Sequence, residues 1–179
     1  MANEVLEKLG TPVVWADTTD YSSTGSGYTR TAQINMESVA NNAARQGDKA
    51  DLGATRAAKY SVILGIETGT APTAGNLIEI YFSWSFSATA ATGNDGGASG
   101  ADGAYKAGEE DEWKKQLDGP YIMVLTADGA GTVQRQTIGT LRALNRYVSP
   151  VMVNKSGQTL DTDAAQMYLA LVPIPDEIQ

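Results

Sequence analysis

From Arg56 to Phe86 the chain alternates twice between apolar and polar side chains. In RAAKYSVILGIET, Tyr60, Val62, Leu64 and Ile66 fall on one face and Ser61, Gly65 and Glu67 on the other. In LIEIYFSWSF, Ile78, Ile80, Phe82, Trp84 and Phe86 share a face against Glu79, Ser83 and Ser85. Successive side chains of a strand point to opposite sides, so both runs predict strands with one side on a core and the other toward water or a partner. Gly69, Pro72, Gly75 and Asn76 supply the turn chemistry between them.

The same period recurs on either side. TPVVWAD (11–17), TAQINM (31–36), SPVMVNK (149–155) and AQMYLALVP (165–173) each read as strands, the last with Met167, Leu169 and Leu171 opposed to Tyr168, Ala170 and Val172. PYIMVLTAD (120–128), turning at Gly129–Gly131 into TVQRQTIG (132–139), predicts a hairpin. Residues 18–30 read as a loop with little to bury, and 141–147 are ambiguous. Residues 41–56 are polar and suit either a charged edge strand or a loop. About eight strands divided by turn signals predict an all-β fold, an antiparallel β-sandwich of jelly-roll type. The expected organisation is an N-terminal arm or short helix over residues 1–10 and a single domain over 11–179.

Three segments stand outside that pattern. Residues 2–10 place Val5, Leu6 and Leu9 on one side of a helix too short to hold by itself, so it either docks on its own domain or reaches a neighbouring subunit. SATAATGNDGGASGADGAYKAG (87–108) is a long Gly/Ala/Ser/Asp tract, expected to be a mobile or functional loop. EEDEWKKQLDG (109–119) predicts one short helix, with acids first, Lys114 and Lys115 late, and Gly119 as its terminator. Glu110 with Lys114 and Asp111 with Lys115 are spaced for ion pairs, and Trp113 with Leu117 for an apolar pair. Val5, Leu6, Leu9, Tyr105 and Trp113 are the candidate partner contacts.

Composition narrows the function by subtraction. The 179 residues suit one domain, and 13 basic against 21 acidic side chains leave a net charge of −8. Such a balance opposes nucleic-acid binding. The chain has no cysteine and no histidine, so thiolate chemistry, His-containing triads and the commonest zinc ligands are excluded. GNDGGASGADG (93–103) lacks the Lys-Ser/Thr ending of a phosphate loop. Asp95, Asp102, Glu109, Glu110, Asp111 and Glu112 are oxygen donors, but their spacing is not that of an EF-hand. No apolar run is long enough to span a membrane, and MANEVLEKLG lacks the basic start and apolar centre of a secretory signal. The expected place of synthesis is a cytoplasm, unless a larger assembly carries the chain out.

The chain resembles a class of small virion proteins encoded by tailed bacteriophages. The likeness lies in TPVVWAD, in AKYSVILGIETGTAPTAGNLIEIYFSWSFSATAATGNDGGASGADGAY, in LDGPYIMVLTAD, and in SPVMVNKSGQ leading to a strand that ends in PDEIQ. Proteins of this type resemble jelly-roll capsid decoration, or cement, proteins that sit outside the head shell as dimers or trimers and staple neighbouring capsid subunits. The resemblance implies a non-enzymatic virion protein whose partners are the major capsid protein and itself, with no cofactor, metal, nucleic acid or membrane. The alternative is a carbohydrate-binding sandwich of a phage tail, reading sugars on the outward face of the 77–86 strand through Glu79, Tyr81, Ser83 and Ser85.

Overall fold

The computed structural model describes residues 11–24, 26–106 and 108–175. Val5, Leu6 and Leu9, and the arm expected over 1–10, lie outside them. In chain order the strands are β1 Val13–Ala16, β2 Ala32–Gln33, β3 Ala44–Gln46, β4 Ala50–Asp51, β5 Lys59–Ile66, β6 Leu77–Ser85 and β7 Gly103–Ala104. One helical turn, α1 Glu110–Trp113, precedes β8 Asp118–Val124, β9 Gln134–Arg142, β10 Tyr147–Lys155 and β11 Tyr168–Ile174.

These strands form two sheets. The first runs β2-β1-β11-β5-β9 and the second β7-β3-β10-β6-β8, with β4 also pairing β10. Pairing is antiparallel throughout except between β1 and β2. With the two-residue strands set aside, eight strands in chain order lie 1-8-3-6 in one sheet and 2-7-4-5 in the other. That interleaving is the jelly roll, in which consecutive strands cross repeatedly from sheet to sheet.

β5 and β6 face each other across the core from opposite sheets. Tyr60, Val62, Leu64 and Ile66 of β5 meet a layer that includes Ile78, Ile80, Phe82 and Trp84 of β6, and all are buried as their alternation requires. Trp15 and Trp84 bury their rings while their indole N–H groups donate to Asp48 O at 2.7 Å and Asp118 Oδ2 at 3.1 Å. This leaves neither polar tip unpaired. Phe86 departs from the pattern because β6 ends at Ser85, and its ring is exposed.

The expected 120–139 hairpin does not form. β8 pairs with β6 and β9 with β5, so residues 125–133 turn a corner between sheets instead of closing a ladder. Side chains make the cross-connection: Gln136 Oε1 accepts from Val124 N–H at 3.4 Å and Gln134 Oε1 from Thr126 N–H at 2.9 Å. The predicted 31–36 strand is a ladder only over β2, although Ile34 and Met36 are buried beyond it. Residues 41–56 supply two short strands, β3 and β4. The predicted 109–119 helix stops early, because a 3-10 turn at Lys114–Gln116 leads straight into β8, which takes up Gly119.

The core interactions are large enough to test singly. Leu169 is fully buried near the start of β11, opposite Leu64. Leu169→Ala is expected to cost about 2–5 kcal/mol, as deletion of a packed leucine side chain does. Urea titration would read this as a lower midpoint at unchanged slope; an unchanged midpoint would contradict the packing described.

Candidate functional site

Both sheets carry apolar side chains on the face turned away from the shared core. On the second sheet Tyr81, Val151, Val153 and Ala44 form this outer layer. Residues 86–117 fold over it and bury Ala98, Tyr105, Trp113 and Leu117 against it. Trp113 is 1 % exposed and Tyr105 2 %, with their rings edge-on at 4.9 Å, and Tyr81 meets Trp113 edge-on at 5.6 Å. Tyr105 and Trp113, expected as partner contacts, are therefore internal packing residues that pin the chain's own cover to its sheet. The tract expected to be mobile is a packed lid. Burial, with Glu109 nearby, pushes the Tyr105 hydroxyl up to about 12, so it stays a donor, giving its proton to Gly96 O at 2.6 Å.

The glycines of the lid serve this packing. A Cβ on Gly96 would lie 2.7 Å from Leu117 Cδ2, and one on Gly100 would overlap the Ala90 carbonyl; both residues have positive φ. Polar anchors complete it. Ser83 Oγ donates to Asp95 O at 2.7 Å. Lys49 Nζ donates to Ser85 Oγ (3.1 Å) and to the carbonyls of Ser87 (3.0 Å), Thr89 (2.6 Å) and Thr92 (3.0 Å), and burial lowers its pKa. Asp102 accepts Arg45 Nε at 2.8 Å and also pairs with its Nη2, tying the lid to β3. At the helix, Lys114 bridges Glu79 at 2.7 Å and Glu110 at 3.1 Å, and Lys155 reaches the same Glu110 at 3.1 Å. Burial would raise Glu110, but hydrogen bonds from Lys155 and Lys114 outweigh it and lower its pKa.

The outer face of the first sheet is covered too. Val14, Ala16, Tyr168 and Ala170 lie under Tyr21 and Tyr28, residues of a segment expected to bury little. Their rings sit 6.2 and 5.6 Å from that of Tyr168.

Beyond these covers, the strand register sorts much of the charge between the two ends of the sandwich. One end is acidic. Asp17 follows β1 and is buried; burial opposes its charge, but bonds from Thr19 and Asp20 N–H and from Gln33 Nε2 hold its carboxyl down to about 2. Burial and the carboxylates of Asp20 and Asp17 push Glu37 up, against a hydrogen bond from Asn35. Glu67 follows β5 and faces Asp161 across the Thr68–Leu160 bridge. It is 6 % exposed, and its Oε1 has no hydrogen-bond partner. Burial first, then Asp161 and Asp163, raise its pKa, and Arg135 offsets this in part.

The other end is basic. Lys59 and Arg142 lie directly opposite in the β5–β9 register, with Arg56 just before β5 and Arg146 just before β10. Arg146 binds Asp51 through Nε at 2.7 Å and Nη2 at 2.6 Å. A half-open cavity of about 510 Å³ between the start of β1 and β4 is lined by Pro12, Val13, Ala50, Asp51 and Leu52. No family model, curated protein or solved structure matches the chain. Among the described residues no group of three or more carboxylates is arranged to hold a metal ion.

The available signal for the lid was in β10. Val151, Met152 and Val153 are consecutive apolar residues, and all are buried, as in a strand covered on both sides. Nothing in the local pattern linked them to Trp113, which is 38 residues earlier than Val151 in the chain.

Two expectations test these assignments. Trp113→Ala should cost about 3–5 kcal/mol and raise amide exchange selectively over 94–117; uniform exchange across both sheets would contradict a separately anchored lid. For Glu67, a raised folded pKa means that the native state holds its proton more tightly than the unfolded chain. Its contribution is therefore full below the unfolded value near 4.5 and is lost as pH rises through the folded pKa. Glu67→Gln should raise the melting temperature at pH 7, and the gain should vanish toward pH 4. A destabilised variant at pH 7 would reverse the sign of the argument.

Proposed function

We propose that the protein is a non-enzymatic structural component of a phage virion, a capsid decoration protein that binds the major capsid protein and itself on the outside of the head shell. The observation that carries this reading is a jelly roll whose outer faces are covered in large part by its own segments, which leaves mainly its ends and its β8 and β9 margins for partners. The resemblance to phage virion proteins in the stretches quoted above supports it. All three tryptophans are buried within the described residues, so the indole surfaces of this chain serve its own cohesion.

A carbohydrate-binding module needs an exposed aromatic platform. The outward face of β6 does not offer one, because Tyr81, Ser83 and Ser85 are buried beneath the lid. Residues 1–10, with Val5, Leu6 and Leu9, continue the chain from the basic end, where β1 begins. In this reading they contact a neighbouring subunit.

The test is light scattering on the purified protein, alone and with phage heads that lack it. A symmetric oligomer that binds heads stoichiometrically is expected, and deletion of residues 1–10 should leave a folded protein that no longer decorates them. A monomer indifferent to heads would sink the reading. Full decoration by the truncated protein would remove the arm from it.

A further inference from the structure

Among the described residues the two most exposed large apolar side chains, Phe86 at 77 % and Leu144 at 57 %, both lie at the basic end. Register brings both to this end: Ser85 pairs with Tyr147, so Phe86 continues β6 beside Arg146 with its ring over Gly93, while Leu144 sits in the turn between Arg142 and Arg146. Among the described residues, the carboxylates toward this end are already engaged: Asp51 is held by Arg146, and Asp118, at the start of β8, accepts from Trp84 Nε1. An exposed apolar pair among cations is unusual on a chain of net charge −8 whose opposite end gathers carboxylates.

We propose that the protein docks end-on through this basic end, onto an acidic protein surface with an apolar recess for Phe86 and Leu144. Arginine forks match carboxylates bidentately, and two apolar anchors inside a charged rim are the anatomy of a protein interface. The acidic end is repelled by the same partner, so the charge separation along the strands orients the encounter before contact. A polyphosphate backbone would use the cations but leave Phe86 and Leu144 in water. The identity of the partner as a shell subunit rests on the decoration reading; the docking face does not.

Two probes separate them: heads lacking the protein, and a synthetic glutamate–leucine copolypeptide. Both should bind the unaltered protein more weakly as salt rises. Arg142→Glu with Leu144→Ser, and separately Phe86→Ser, should each weaken binding about tenfold or more. Asp128→Asn with Asp163→Asn at the far end should leave binding unchanged, and Asp176→Asn with Glu177→Gln should not weaken it. All these positions except 176 and 177 are exposed within the described residues, and an unchanged melting temperature certifies each variant as folded. Copolypeptide binding through the basic end without head binding would overturn the decoration reading and keep the docking face. Head binding untouched by the basic-end variants, or lost in the acidic-end variant, would overturn the docking face and keep decoration. Indifference to both probes would overturn both, and competition by duplex DNA for the same residues would overturn an acidic protein as the occupant.

Discussion

Tyr81, Val151 and Val153 put apolar surface on the side of a sheet that its partner sheet cannot reach, and keeping that surface dry governs the rest of the molecule. A jelly roll with one buried face per strand needs only short connections. Here the connection between β6 and β8 has become a second layer, seated by edge-on contacts among Tyr81, Trp113 and Tyr105. Each aromatic ring buries far more surface than the small residues around it. The glycine-rich composition of this layer lets its backbone lie close enough for those rings to meet.

Closing the faces has an electrostatic corollary. A side chain that cannot leave through a face must be paired there, as Arg45 and Asp102 are, or be placed at a strand end. The ends therefore collect what the faces exclude. Topology then divides it, because β1 and β5 run the same way and deliver Asp17 and Glu67 to one end, while β5 begins and β9 ends at the other with Lys59 and Arg142. At that end burial first, and then the neighbouring carboxylates, raise the pKa values of Glu37 and Glu67.

Much of the fold was legible in the sequence because alternation is a local signal. Tyr60 to Ile66 and Ile78 to Trp84 identify their inward faces unaided, and Met167, Leu169 and Leu171 do the same for the last strand. What pattern does not encode is which sheet a strand joins. β8 and β9 read as a hairpin since the three turn residues Gly129–Gly131 divide the two runs, yet the core residues Met123 and Leu141 draw them to opposite layers. The burial of Tyr105 and Trp113 was hidden for a related reason. Tyr105 and Trp113 follow a glycine-rich tract, and a tract without periodicity gives no sign of the surface it will cover. The charge division was invisible for the same cause, since Arg56, Arg142 and Arg146 converge only once the strands are in register.

The glutamine side chains of β9 have a consequence for life in a crowd. Gln134 accepts the N–H and hydroxyl of Thr126 at Oε1 and returns Nε2–H to its carbonyl, so a primary amide stands where the peptide group of an added strand would sit. Gln136 Oε1 does the same for Val124 N–H, so the last residue of β8 already has an occupant on its open margin. Copies held side by side at high local density could touch there without templating one another into a continuous sheet, which keeps any ordered array of them a lattice of separate bodies and not a fibre.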